Sequence, residues 1–238
     1  MAECSDFPQT TGASANRHRS TLRSVQIVLG QALLLAAALY FFLQGWRRDI
    51  GVPLGFSSDS LLALMQSKST VDNGWWWFNP MVGAPLGLDE LAFPANSNVD
   101  QAIVWMVSRF VRDAATAINL AWMLMVVLSG LSASWSMRRL GASTVSSVVA
   151  GTLFALSPYA LYRNIDHFWM VIYLVPFVCT AALLLASGQL SERGLWRNSY
   201  LLLLIGCALL GFNYVYYAFF GCFLIGIASI AGFLACRQ

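Results

Sequence analysis

Long apolar runs without charges alternate along the chain with short polar turns, and one polar stretch is far longer than the others. A helix that crosses a bilayer needs about 20 apolar residues to cover roughly 30 Å of hydrocarbon. Runs of that size cover residues 25–45, 114–137, 142–162 and 167–187. The last run, 199–236, holds 38 residues without a charge. As a single helix it would be about 57 Å long, too long for a bilayer. A break near Gly211-Phe212-Asn213 turns it into a hairpin of two spans. The pattern predicts an all-α, polytopic transmembrane helical bundle of about six spans.

The first run is longer than the core of a signal peptide, which holds roughly 7–15 residues, and Gln44-Gly45-Trp46-Arg47-Arg48 follows it instead of a small-residue cleavage site. It reads as a retained span behind a disordered cytoplasmic tail, residues 1–24. Orientation follows from the basic residues of the short loops. The tail, the two turns at 137–142 and 188–198 and the C-terminus carry arginines 17, 19, 23, 138, 139, 193, 197 and 237, against Arg163 alone in the short loops of the other side. Both termini are then expected in the cytoplasm, although Arg47 and Arg48, directly after the first span, point the other way.

That orientation puts the long segment, residues 46–113, outside. Seven of the eleven acidic residues lie in it, and Asp166 is an eighth on the same side. Its pattern is not that of a linker. From Asp59 to Gln66 a capping residue precedes apolar positions spaced by three and four, which predicts a short amphipathic helix at the membrane interface. Asn73-Gly74 and Asn79-Pro80 are turns around Trp75, Trp76, Trp77 and Phe78, aromatics suited to headgroup depth. Residues 98–112 predict a second amphipathic helix with Val99, Ile103, Met106 and Phe110 on one face.

Composition agrees: 58% hydrophobic and 11% charged residues, with a mean hydropathy of +0.64, lie outside the range of soluble domains. A net charge of +3 is too small to suggest a nucleic-acid partner. Cys4, Cys179, Cys207, Cys222 and Cys236 show no metal-like spacing and read as small hydrophobes. Nucleotide-binding, zinc-protease and serine-hydrolase motifs are absent.

Few residues remain that could carry chemistry. Asp59 opens the first loop helix, either as a plain N-cap or as a carboxylate that accepts a proton from a sugar or lipid hydroxyl. His167, at the mouth of a span beside Arg163 and Asp166, is either an interfacial group or part of a phosphate site. On a helix that has begun by Arg163, positions 163 and 167 would share a face. Asp89, Glu90 and Asp100 are solvated surface, or carboxylates for a divalent metal or an acceptor. Tyr216 and Tyr217, beside Tyr214 and Asn213, are an aromatic belt or a surface on which sugars and prenyl chains stack.

The ordered set Ser58-Asp59-Ser60-Leu61, Asn73-Gly74-Trp75, Asn79-Pro80, Gly83-Ala84-Pro85, Phe93-Pro94, Ser157-Pro158-Tyr159, Arg163 with His167, and Tyr216-Tyr217-Ala218-Phe219-Phe220 resembles the GT-C group of integral-membrane glycosyltransferases, in particular bacterial members. The resemblance covers residues 25–236. It implies that 25–238 is a transmembrane N-terminal module of such an enzyme, in the bacterial inner membrane and using a sugar carried on a polyprenyl phosphate or diphosphate. Asp59 matches the family's catalytic acid of the first outer loop. Arg163 and His167 are the candidates for the leaving phosphate, and Asp100, Tyr216 and Tyr217 for substrate contacts. Some relatives use a divalent metal, for which Asp89 and Glu90 are the candidates here. Relatives usually have eleven or more spans, so a C-terminal half or companion membrane subunit is an expected partner beside the lipid-linked donor and the bilayer. Two other classes compete: a lipid or glycan transport subunit, and a non-catalytic membrane scaffold whose loop binds a partner.

Overall fold

The computed structural model describes residues 11–90, 97–189 and 198–235, so Phe93-Pro94, Arg193, Arg197 and Arg237 lie outside the described residues. Four helical stretches are long and apolar enough to cross a membrane: Leu22–Phe42, Ala114–Arg139, Thr144–Phe168 and Val215–Ala235. By these helices the chain is an integral membrane protein. Where the other two spans were expected lie shorter apolar helices, Val175–Ala186 and Tyr200–Gly211. Twelve residues rise only about 18 Å.

Helix α1 runs from Thr11 to Phe42. Within the segment expected as a tail, the backbone is helical from Thr11 onward. Alanines 13 and 15 and the arginines that follow are good helix formers, and no proline interrupts them. Along the span only Gln31, Leu35 and Leu39 are buried, with Leu43 in the turn beyond, one residue in four. That stripe packs on α4, Ala114–Arg139, the most enclosed of the candidate spans. Asp113 caps α4 by accepting from the Thr116 amide and hydroxyl, both at 2.7 Å, and these bonds hold its carboxyl below the usual range.

Helix α5, Thr144–Ala155, packs antiparallel on α4 across a turn at Gly141. The approach depends on small residues: a Cβ on Gly151 would collide with Ser134 and the Gly130 carbonyl, and one on Gly130 with Leu35. Gln31 Nε2 donates to Ser134 Oγ at 2.7 Å, and Ser134 Oγ donates to the Ser147 carbonyl at 2.8 Å. Three helices are thus joined by one polar chain in an apolar setting.

The third candidate span is not one straight α-helix. Pro158 starts a new helix, α6 (Pro158–Arg163), capped by Ser157, and a 3-10 segment, Asn164–Met170, follows. Asn164 has a left-handed φ of 38°, and His167 is non-helical. The run expected as 167–187 therefore becomes α-helical only at α7, Val175–Ala186, with Pro176 in its first turn. Helices α8, Asn198–Gly211, and α9, Val215–Ala235, form the hairpin at the expected break. Gly232 lets α9 lie against the Leu185 carbonyl, and α7 packs on both helices of the hairpin.

Between α1 and α4 the chain builds a folded cap. Residues 43–57 form a strap held by Asn119 of α4, whose Nδ2 donates to the carbonyls of Ile50 and Val52 at 2.8 and 2.9 Å. Its Oδ1 accepts from the Leu54 amide at 3.2 Å. Helix α2 spans Ser58–Asn73 and ends at Gly74, whose φ of 88° suits a glycine C-cap. Strands β1, Phe78–Asn79, and β2, Leu88–Asp89, pair antiparallel. Helix α3 spans Asn98–Ser108. Both loop helices bury polar residues: Ser60, Gln66, Ser67 and Thr70 from α2, Asp100 and Gln101 from α3. Of the apolar positions expected on one face of this helix, Val99, Ile103 and Met106 lie in α3 and Phe110 lies beyond its end. Ile103 is buried, but Met106 and Phe110 are 49% and 90% exposed.

Replacing Gly151 by valine is expected to drive α4 and α5 apart at a cost of about 1–3 kcal/mol. A lowered thermal midpoint in detergent, by fluorescence-detected size exclusion, is the check, and an unchanged midpoint would show the contact to be loose.

Candidate functional site

Ser57, in extended conformation, precedes α2, and Asp59 stands inside the first turn. The expected N-cap role of Asp59 is corrected: no side-chain cap bond forms at this end. The turn is closed by Ser60, whose hydroxyl donates to the Ser57 carbonyl at 2.8 Å. Asp59 is left exposed, with no ion pair among the described residues.

The start of α2 is pinned to the 3-10 segment after α6. The Ser57 amide donates to Asp166 Oδ1 at 3.4 Å, and a Cβ on Gly55 would collide with the side chains of Asp166 and Asn164. The Asp166 carbonyl lies 2.7 Å from His167 Nδ1. The Arg163 guanidinium lies 5.8 Å from the centre of the Tyr159 ring. The helical face expected to join Arg163 and His167 does not exist, because the left-handed turn at Asn164 separates them. They nevertheless line one depression together with Trp122 and Tyr159. Its volume of about 10 Å³ admits about one water, so a phosphate would have to sit over it.

Tyr214 joins this rim to the last hairpin. Its ring centre is 5.2 Å from that of Tyr216 and 5.8 Å from that of Tyr217. Burial raises the pKa of Tyr214, and the neighbouring Tyr216, Asp59 and Tyr159 raise it further. The residues expected as separate candidates therefore share one neighbourhood: Asp59 from α2, Tyr159 and Arg163 from α6, and the tyrosines that open α9. Tyr216 is exposed and Tyr217 half-buried.

Asp100 has a different place from the one expected. It is fully buried at the start of α3, out of reach of a substrate in solution. Its Oδ1 accepts from the Tyr173 hydroxyl at 2.7 Å and from Asn213 Nδ2 at 3.1 Å, while its own amide donates to Asn213 Oδ1 at 3.3 Å. Burial lifts its carboxyl to about 7, against the lowering effect of Tyr173 and Asn213. Burial and the adjoining carboxylate raise Tyr173 in turn. Asp100 is a positioning residue that ties α3 to the α8–α9 turn.

The metal reading of Asp89 and Glu90 does not fit these residues. Asp89 is exposed on β2, whereas Glu90 is buried, accepts from Gln66 Nε2 at 2.7 Å and has its pKa raised by burial. Among the described residues no group of three or more His, Cys, Asp or Glu could hold a metal ion. Sequence reasoning missed Asn119, Gln66, Gln101 and Tyr173, which hold the cap together. Their only signal was polar side chains inside otherwise apolar or amphipathic stretches, at positions normally filled by leucine or valine.

The raised Asp100 pKa makes stability depend on pH with a definite sign. The folded protein holds a proton that the unfolded chain, titrating near 3.8, has released, so the contribution of Asp100 to stability is greatest at low pH and is lost as pH rises to about 7. Thermal midpoints measured from pH 4 to 8 are expected to decline over that window in the wild type and to flatten in Asp100→Asn. An equal slope in both proteins would remove Asp100 as the cause. Compared with known proteins, the chain matches no family model, no curated protein and no solved structure.

Proposed function

We propose that this chain is the membrane-embedded N-terminal module of a GT-C-type glycosyltransferase that acts on a polyprenyl-phosphate-linked sugar at the outer face of the bacterial inner membrane. One observation carries the reading: an exposed carboxylate, Asp59, in the neighbourhood of stacked tyrosines and of Arg163 and His167, beside helices fit to span a bilayer. In this reading about six spans hold the module, with α7 and α8 as the two shorter ones, and both termini are cytoplasmic. The donor groove is completed by further spans, from a C-terminal half or a companion subunit.

The transfer is a single inverting displacement. The Asp59 carboxylate takes the proton of the acceptor hydroxyl as the acceptor oxygen bonds to the anomeric carbon. The bond from that carbon to the phosphate oxygen breaks, and its electron pair leaves with the lipid phosphate. The phosphate departs over the depression lined by Arg163 and His167, where the guanidinium offers paired N–H donors. Tyr216 and Tyr217 supply faces on which a sugar ring or prenyl chain stacks. Position and charge stabilisation provide the rate, with no covalent enzyme intermediate and no step through a metal. A transport role has less support, because the charged residues of the candidate spans sit at or near their ends rather than near the midplane. A scaffold role would leave the Asp59 neighbourhood without a purpose.

In proteoliposomes that hold the chain together with its C-terminal half or companion subunit, supplied with undecaprenyl-phosphate hexose radiolabelled in the sugar, Asp59→Asn is expected to lower sugar transfer by about 100-fold or more, with membrane insertion and thermal midpoint unchanged. Transfer near the wild-type rate would remove Asp59 from the mechanism.

A further inference from the structure

Between the end of α1 and α4, on the same membrane surface as the cap, lies a cavity of about 670 Å³. Its volume falls in the range of small-molecule sites, roughly 300–1,000 Å³. Leu39 and Leu43 form one wall, Met123 and Val127 the opposite wall, and Ile50 and Leu54 of the strap the roof. The cavity exists because Asn119 holds that roof by three hydrogen bonds instead of letting it collapse onto the helices.

Its polar rim carries Arg48 and Asp49. Arg48 lines the opening, is exposed and makes no ion pair among the described residues. The neighbouring acid, Asp49, turns its Oδ1 to the Gly51 amide at 2.9 Å. Depth is marked by Trp46, whose ring lies 5.9 Å from Tyr40 and 5.8 Å from Phe41, aromatic packing suited to the level of lipid headgroups. An apolar chamber opening at headgroup depth beneath an unpaired guanidinium matches a molecule with a hydrocarbon chain and an anionic phosphate.

We infer that this cavity is a binding site for an anionic glycerophospholipid, one acyl chain between α1 and α4 and its phosphate on Arg48. The site is separate from the Asp59 neighbourhood. Successive residues of a helix point about 100° apart, and α4 turns Met123 to this cavity but Trp122 to the depression beside Arg163 and His167. The assignment also gives a reason for Arg48, one of two arginines directly after the first span, where the charge pattern of the other loops gives none.

Native mass spectrometry tests it on the full chain reconstituted with equal amounts of phosphatidylglycerol, phosphatidylcholine and undecaprenyl phosphate. The wild type is expected to retain one phosphatidylglycerol in preference to phosphatidylcholine by about five-fold, the effect of one arginine near an anionic headgroup. Arg48→Gln should erase the preference, whereas Arg47→Gln, which removes the same charge outside the cavity, should keep it. Ala36→Phe, which fills the chamber, should lose both phospholipids. Equal retention of the two phospholipids by the wild type, an equal effect of Arg47→Gln, or retention of undecaprenyl phosphate in place of phosphatidylglycerol that Arg48→Gln or Ala36→Phe abolishes would each overturn the assignment. Arg48→Gln lies on the exposed rim, so the result does not depend on a core variant folding.

Discussion

Helix α3 of the cap is tied to the turn between the last two helices by one carboxyl group that has left water. Asp100 is buried where α3, Tyr173 and the α8–α9 turn meet, and it bonds to partners far away along the chain. Burying such a group without partners would be costly, whereas removing one partner of a satisfied pair leaves the other stranded. The Asp100 contact is therefore made as a whole or lost as a whole, which fixes the register between cap and hairpin. The same logic extends through the cap. Thr70 donates to Gln101 Oε1 at 3.1 Å and Gln66 to Glu90, so α2, α3 and the strand pair share one polar layer. Asp59 stands at the end of the helix that this layer holds.

Below the cap, α4 organises the bundle by a different means. In lipid the apolar surface of a helix gains little by meeting another helix, so close approach and shared hydrogen bonds decide which helices pair. Gly130 and Gly151 provide the approach between α4 and α5, and Ser134 relays a bond from Gln31 of α1 to the Ser147 carbonyl of α5. On another side, the Ser136 hydroxyl donates to the Pro176 carbonyl at 3.1 Å and ties α4 to α7. That carbonyl also accepts from Thr180 at 2.7 Å. Apart from Leu35 and Leu39, which meet α4, most leucines and phenylalanines of α1 and α9 meanwhile face outward, as lipid contact requires.

The sequence revealed what depends on hydrophobic run length and on charge-free stretches. Three of the expected spans and the hairpin break at Gly211-Phe212-Asn213 lie close to where the structure has them. It misled where environment reverses the usual rule. Val99, Ile103, Met106 and Phe110 were expected on one face of α3, but Phe110 lies beyond its end, and the helix packs Asp100 and Gln101 into the protein beside Ile103 and Val104. Pairing Arg163 with His167 assumed a continuous helix, and Asn164 in the left-handed region breaks it, which four-residue spacing cannot reveal. Asp59 looked like a cap because it precedes an apolar series, yet α2 starts one residue earlier with Ser57 outside it. Boundary errors of that size decide whether a side chain is occupied by backbone or left free for chemistry.

Asp100 and Asp59 show how burial divides two chemically identical groups. The first is enclosed, shares its oxygen with Tyr173 and Asn213, and takes its place among structural contacts. The second is exposed on a turn, and its charge is felt by Tyr214. Tyr214 follows Asn213 directly, so the residue that Asp100 holds is adjacent to the tyrosine that Asp59 influences. Loosening the buried contact would shift the tyrosines against the start of α2 without touching either face of the candidate site. A catalytic role for Asp59 would then depend on a carboxyl group that never meets the substrate, and the two variants should separate in kind. Loss of Asp59 should remove chemistry from an intact fold, whereas loss of Asp100 should blur the geometry on which that chemistry rests.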